Sequence, residues 1–166
     1  MPTFIRGSTL SFVADPFAVG IERAMRYESD AILGLEDGLI ILHAPVTAGL
    51  LAEIEGRFPI VRYPDAIIMA GFLDAHVHYA QTPIIGSFGG HLLDWLTTYA
   101  FPAEEACRDA GYARTVAQAY LRENLRNGIT TAMVYGTVFP QSVDVLFEES
   151  ERLGLRTIAG KVMMDR

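Results

Sequence analysis

The sequence predicts a parallel α/β fold preceded by a small β-domain, and three observations carry this prediction. The apolar run over residues 66–73 is typical of a strand buried on both faces, as in parallel sheets. A helix, a glycine and a strand follow one another twice, over residues 116–135 and 140–164, which is the rhythm of parallel α/β units. Asp37-Gly38 lies between two short apolar runs, and this dipeptide predicts a hairpin because its turn needs positive φ angles.

The first 65 residues contain the elements of the predicted β-domain. Residues 3–13 alternate loosely between apolar and polar and predict a short pair of strands around Gly7-Ser8. Residues 48–57 have the leucine and isoleucine spacing of a short helix. Residues 59–63 predict a further strand, which Pro64 would end because proline donates no hydrogen bond to a ladder.

Three strands alternating with helices are predicted in the rest of the chain. The predicted strands cover residues 67–75, 129–135 and 155–164. A helix before the second strand ends at Asn127-Gly128, where glycine favours a C-cap. Another helix begins at Pro140, a favoured first-turn residue, and ends at Gly154.

The first of these strands ends in His76-Val77-His78. Side chains two residues apart in a strand point the same way, so we expect both imidazoles on one side. Two neutral imidazoles can bind one divalent ion at roughly 2.0–2.1 Å. In (β/α) barrels the chemistry lies at the C-terminal ends of the strands. A packing role for the pair stays open at this point, because zinc normally needs three protein ligands and no third is identifiable.

A longer pattern surrounds the histidine pair. Residues 69–78, Met-Ala-Gly-Phe-Leu-Asp-Ala-His-Val-His, resemble the first-strand signature PGFxDxHxH of the amidohydrolase superfamily, with Ala70 in place of the proline. Further blocks are similar to those of the guanine-deaminating members, and they cover residues 78–81, 92–96, 99–104 and 160–165. The resemblance extends over essentially all 166 residues.

This resemblance implies a fold and an activity. The implied fold is α/β: about the first three strands of a (β/α)8 TIM barrel over residues 66–166, after part of a small β-sandwich-like domain over residues 1–65. The implied activity is hydrolytic deamination of guanine to xanthine and ammonia. His76 and His78 would bind Zn²⁺, or Fe²⁺, since two imidazoles suit both ions. The other ligands, two histidines and an aspartate, and a proton-transferring glutamate would follow residue 166.

Substrate binding is implied for His78 and Gln81. Gln81 lies three residues after His78, so strict alternation would turn it away from the metal side. We therefore expect Gln81 on a loop. Its amide carries both a donor and an acceptor, which suits the mixed hydrogen-bonding edge of guanine.

Chain length limits the functional prediction. A complete (β/α)8 barrel takes about 250 residues, so we expect these 166 residues to be the N-terminal portion of a longer protein. The alternatives are another amidohydrolase deaminase or chlorohydrolase, acting on triazines or other purines, and a truncated relative without catalysis. The H-x-E and P-C-x-x-C signature of the other zinc deaminases does not occur in the sequence.

The composition of the chain limits the classes of molecule that it is expected to bind. The net charge is −7 and there is no basic cluster, so a nucleic acid or an anionic membrane is a poor partner. The partner that the resemblance implies is a small purine, and a homodimer is expected only by analogy. Cys107 is the single cysteine, which excludes an internal disulfide and fits a reducing cytoplasm. No signal peptide and no apolar run of ~20 residues is evident in the sequence.

The remaining polar and aromatic candidates receive structural interpretations. They are His43 as a surface or half-buried residue, His91 as a capping or surface residue, Glu104 and Glu105 as first-turn residues of a helix starting at Pro102, Thr137 as a strand former with a site-facing role as the alternative, and Trp95 as a core or pocket-mouth residue.

Overall fold

The computed structural model of the protein describes residues 1–164. The chain divides into two compact units, Met1–Ala70 and the part from Gly71 onward. The strands of the described residues are β1 (Thr3–Phe12), β2 (Met25–Glu36), β3 (Leu39–Pro45), β4 (Ile60–Met69), β5 (Phe72–His78), β6 (Ile129–Tyr135) and β7 (Arg156–Gly160). The α-helices are α1 (Pro16–Val19), α2 (Ile21–Ala24), α3 (Ala48–Glu55), α4 (Leu92–Trp95), α5 (Phe101–Ala106), α6 (Ala110–Arg126) and α7 (Pro140–Leu153).

The first unit contains one four-stranded sheet in the order β3-β2-β1-β4. All neighbours are antiparallel except β1 and β4, which are parallel. The predicted hairpin is confirmed: β2 and β3 meet at Asp37 and Gly38, whose φ angles are 50° and 78°. Helix α3 contributes Ile54 to a buried cluster with Phe4 and Ile32, so the helix covers the sheet.

The strand pair predicted around Gly7-Ser8 is wrong. β1 is one continuous strand, and its pairing with β2 shifts register between Gly7 and Thr9, which marks a bulge. Gly7 lies between two strands at close range, since a Cβ atom there would be 2.8 Å from the Tyr63 carbonyl oxygen. The glycine therefore permits a close backbone approach and does not form a turn.

The strand predicted to end at Pro64 continues instead to Met69 as β4. Its pairing with β1 jumps from Gly7–Tyr63 to Ser8–Ile67, so residues 64–66 form a bulge. Proline is tolerated there because β4 is an edge strand and bulged residues need not donate to the ladder. The apolar run over residues 66–73 is consequently shared by β4 and β5, and the strand predicted over residues 67–75 is wrong in its boundaries.

The second unit contains a parallel sheet in the order β5-β6-β7. The connection from β5 to β6 contains several helical segments and ends with α6, and α7 connects β6 to β7, which confirms the predicted alternation of strands and helices. α6 ends before Gly128 and α7 before Gly154, with φ angles of 78° and 67° at these glycines. β7 ends at Gly160, earlier than predicted, because its pairing partner β6 ends at Tyr135. Asp165, part of the last resemblance block, lies outside the described residues.

The core of the second unit lies between its sheet and the two connecting helices. Ala132 and Val134 of β6 are buried with Leu121 of α6 and Leu146 of α7. Residues at alternate positions project from the other face and are exposed; they include Met133, Tyr135 and Ile158. The sheet therefore has one covered and one uncovered face within the described residues.

The segment before α6 corrects the helix start predicted at Pro102. α4, a π-helical turn over Leu96–Ala100 and α5 follow one another without a break. Ala100, which precedes α5, has helical φ and ψ angles of −68° and −52°, so no free N-terminus exists there. A π turn changes the hydrogen-bonding register and accommodates the missing N–H of Pro102.

The helices of the described segment, residues 1–164, are each too short or too polar to cross a lipid bilayer.

Candidate active site

The site is built on the C-terminal end of β5. Gly71, before this strand, lies against β6: a Cβ atom there would be 2.1 Å from Thr130 Oγ1, so only glycine fits. Pairing with β6 shifts register between Asp74 and Val77, which places a bulge at the first histidine. Asp74 Oδ1 accepts a hydrogen bond from the His76 backbone N–H at 3.1 Å and thereby supports the bulge. The strand is thus locally irregular where its polar side chains begin.

The two imidazoles lie together despite this bulge. The ring centroids of His76 and His78 are 5.4 Å apart. Tyr135, the last residue of β6, contacts both rings, with centroid distances of 4.9 Å to His76 and 4.8 Å to His78. The tyrosine and His78 rings are nearly parallel, at 11°. The expected juxtaposition of the histidines is therefore present, and their role as metal ligands stays a prediction.

Whereas His76 is exposed, His78 is half-buried. Its Nδ1 atom is buried and has no hydrogen-bond partner among the described residues. The nearest carboxylate oxygen, Glu104 Oε1, is 3.8 Å away, which is too far for a hydrogen bond. Burial is the main influence on its pKa and lowers it; Glu104 opposes this shift and His76 adds to it. A lowered pKa favours the neutral imidazole, the form that binds metals.

Gln81 lies in a 3-10 helix over Tyr79–Ile84, and not on an irregular loop as predicted. Its Nε2 donates a hydrogen bond of 2.9 Å to Glu104 Oε1. The tight 3-10 turn brings Gln81 to the same cleft as the histidines, which strict strand alternation would not allow. The structure therefore brings His76, His78 and Gln81 together.

Glu104 was not identified as a site residue from the sequence. Its side chain is only 14% exposed and lies between Gln81 and His78. Glu104 does lie in the first turn of α5, as predicted, but α5 continues from the preceding helical turn, so its carboxylate faces Gln81 and no free helix N-terminus. Tyr135 was also missed, although it pairs with His78 across β5 and β6. The second strand was predicted to end at residue 135, and this position at the C-terminal end of a parallel strand could have identified Tyr135 as a site residue.

A cleft of about 490 Å³ adjoins these side chains. His76, His78 and Gln81 line one part of it, and Trp95 and Tyr120 line others. Trp95 donates its indole N–H to the Ser87 carbonyl oxygen at 3.1 Å. The pocket-lining alternative for Trp95 is therefore the correct one, and the cleft is large enough for a small heterocyclic ligand.

Other candidates lie away from this cleft or are structural. His91 is exposed and precedes α4 without a side-chain cap hydrogen bond. His43 is exposed, and its Nε2 lies 2.9 Å from Thr9 Oγ1 in the first unit, in agreement with the surface or half-buried role predicted for it. Thr137 is buried, with Oγ1 2.8 Å from Ser142 Oγ at the start of α7. Cys107 is a buried free thiol, and burial raises its pKa to about 11.

Two imidazoles make an incomplete metal site. No group of three or more histidine, cysteine, aspartate or glutamate side chains in residues 1–164 is arranged to hold a metal ion. The donor chemistry nevertheless fits: the rings of His76 and His78 lie side by side, and His78 Nδ1 is a buried polar atom without a partner in the part of the chain that the structure describes. These two residues would hold the ion, with further ligands supplied from elsewhere.

The sequence matches known proteins over most of its length. The profile of the Amidohydrolase family matches residues 67–166. The chain is 40% identical, over 146 residues, to the guanine deaminase of Escherichia coli strain K12; the match covers 88% of this chain and 33% of that protein. The chain spans about a third of the length of the curated relatives it matches first.

Solved structures agree with these matches. The crystal structure of guanine deaminase from Bradyrhizobium japonicum superimposes with a TM-score of 0.89 at 34% identity, over 100% of this chain and 36% of that one. Atrazine chlorohydrolase from Arthrobacter aurescens, crystallised with zinc, has a TM-score of 0.71 at 20% identity over 96% of this chain and 35% of that one. At that identity the second likeness concerns the fold alone.

Proposed function

Because this chain belongs to the amidohydrolase family, we propose that it forms part of a metal-dependent hydrolase that converts guanine and water to xanthine and ammonia. The observation that carries the proposal is the pair His76 and His78 at the end of the first parallel strand, facing a cleft that Gln81 also lines. We infer guanine as the substrate because the chain is similar to guanine deaminases.

The side chains of this chain have distinct tasks in the proposed reaction. His76 and His78 hold the metal, and Tyr135 keeps their rings in place. The metal that these histidines would hold would supply the Lewis acidity needed to activate water for attack on the amidine carbon of guanine. Gln81 and His78 contact the purine, and the amide of Gln81 orients it by hydrogen bonding. Apolar and aromatic side chains near Trp95 line the same cleft and would pack against the purine.

Several finer features belong to the same proposal. The strands from β5 onward form the first three of a (β/α)8 barrel, and the sheet of the first unit forms part of a β-sandwich-like domain. Two later histidines, an aspartate and a proton-transferring glutamate complete the site. Zinc is the proposed metal, with iron as the alternative. A single buried, unpaired cysteine is consistent with a reducing compartment such as the cytoplasm.

A substrate panel on the full-length protein tests the proposal. Guanine, adenine and atrazine are offered to the metal-loaded enzyme, and the release of ammonia or chloride is measured beside the metal content. We expect ammonia from guanine and no comparable turnover of the other two. Turnover of atrazine or adenine in preference to guanine would overturn the substrate assignment.

Histidine variants test the site with a matched control. His76→Ala and His78→Ala should each lose the metal and reduce turnover to background, because two of the ligands come from this pair. His91→Ala changes an exposed histidine of the same unit and should keep both properties. Equal losses in all three variants would contradict the assignment of ligands.

A further inference from the structure

Glu104 is a nearly buried carboxylate that the proposed reaction leaves without a role. Its side chain is 14% exposed, whereas that of its neighbour Glu105 is 58% exposed and binds Arg108. Glu104 Oε1 accepts the hydrogen bond from Gln81 Nε2 at 2.9 Å. Of these two consecutive glutamates of α5, Glu104 therefore faces Gln81 and Glu105 faces solvent.

A carboxylate offers only acceptors, so it determines which end of the Gln81 amide faces it. The amide must turn its NH2 group towards Glu104, and one of its two N–H groups is then occupied. Oε1 and the second N–H make no hydrogen bond within residues 1–164. Since Gln81 lines the cleft, these two groups form a neighbouring acceptor and donor for a ligand. An amide free to flip would present the two groups in either order.

We propose that Glu104 is a positioning residue that fixes the Gln81 amide in one orientation. The site then selects ligands that carry an N–H donor beside a ring-nitrogen acceptor, a pattern found on purine edges. This inference rests on the proposed function for the identity of the ligand, but the Gln81–Glu104 contact does not depend on it. A charge-assisted hydrogen bond of this type is among the stronger ones in proteins.

The test is a double-mutant cycle on the full-length, metal-loaded enzyme with guanine. Glu104→Ala should raise KM about tenfold, as expected for loss of a hydrogen bond to a charged group, with a smaller change in kcat. Gln81→Ala should raise KM at least as much. The double variant should match Gln81→Ala alone, because Glu104 acts through Gln81. Glu105→Ala is the control and should leave KM unchanged.

Two outcomes of this cycle would overturn the proposal. If the increase in KM of the double variant equals the product of the increases of Glu104→Ala and Gln81→Ala, the two residues act independently. Loss of bound zinc in Glu104→Ala would place its effect on His78, whose Nδ1 is 3.8 Å from Glu104 Oε1. Glu104→Gln provides a second variant in case the alanine variant does not fold. It retains a carbonyl acceptor for Gln81, and its KM should lie closer to that of the wild type.

A spectroscopic measurement separates this inference from the substrate assignment. The ¹H–¹⁵N resonances of the Gln81 side-chain amide report its hydrogen bonding without any turnover. They should shift in Glu104→Ala and stay in place in Glu105→Ala. If guanine is not a substrate but this shift occurs, the proposed function fails and the positioning role stands. If guanine is deaminated and the resonances do not move, the positioning role fails alone.

Discussion

Tyr135 is the residue that connects the two strands at the candidate site. Its ring lies within 4.9 Å of the His76 centroid and 4.8 Å of the His78 centroid. Aromatic pairs of this kind contribute about 0.5–1.5 kcal/mol beyond the area they bury. The two imidazoles are therefore restrained by packing on their faces as well as by the backbone of β5. Restrained ligand rings lose less freedom when they bind an ion.

Replacing Tyr135 tests this restraint. Tyr135→Ala should weaken zinc binding by the full-length protein about threefold to tenfold, the equivalent of one aromatic contact. Competition with a chelating dye measures the dissociation constant. Tyr135→Phe keeps the ring and should bind zinc as the wild type does. If the phenylalanine variant is as weak as the alanine variant, the hydroxyl group and not the ring is responsible.

At the scale of elements, the second unit is held together by the buried faces of α6 and α7. Leu146 of α7 has no exposed surface and belongs to the same cluster as Ala132 and Val134 of β6. Tyr79, directly after the histidines, is also buried in that cluster and donates its hydroxyl hydrogen to the Ser142 carbonyl oxygen at 2.8 Å. α7 therefore packs against β6 and also stabilises the segment directly after β5.

Neighbouring residues of α7 provide a matched pair of stability variants. Leu146→Ala should lower the free energy of unfolding by about 2–5 kcal/mol, because it leaves a cavity in the core. Phe147→Ala removes a larger side chain, but Phe147 is 41% exposed and the loss should be clearly smaller. Urea unfolding of the full-length protein, followed by circular dichroism, gives both values. A larger loss for Phe147→Ala would contradict the packing described for α7.

At the scale of the molecule, the described residues hold only part of the candidate site. They form two compact units, and the histidine pair lies in the second. Two imidazoles are fewer than the three protein ligands that catalytic zinc normally has. The chain also spans about a third of the length of its curated relatives. Metal affinity and turnover should therefore depend on residues that these 166 do not contain.

Comparison of the 166-residue chain with the full-length protein tests this dependence. The short chain should bind zinc weakly and release no ammonia from guanine. The full-length protein should bind zinc tightly and release ammonia. Metal analysis and an ammonia assay on equal amounts of the two proteins provide the measurement. Strong deamination by the short chain would mean that all essential ligands lie within it, and the proposed ligand set would be wrong.

Local patterns were enough to predict much of this protein. Asp37-Gly38, Asn127-Gly128 and Gly154 predicted a turn and two helix ends, because glycine and its neighbours act through their own backbone angles. The spacing of His76 and His78 likewise predicted neighbouring rings. These features depend on residues close together in the sequence, so the amino-acid order was sufficient for them.

Features that depend on distant contacts emerged only in the folded chain. The apolar run over residues 66–73 is divided because β1 pairs with its first part and β6 pairs with its second. Glu104 reaches Gln81 across 23 positions in the sequence because a π-helical turn makes α4 and α5 continuous. Periodicity describes one element at a time and contains no record of which element lies beside it. The partners of Gln81 and of both histidines were therefore decided by tertiary packing.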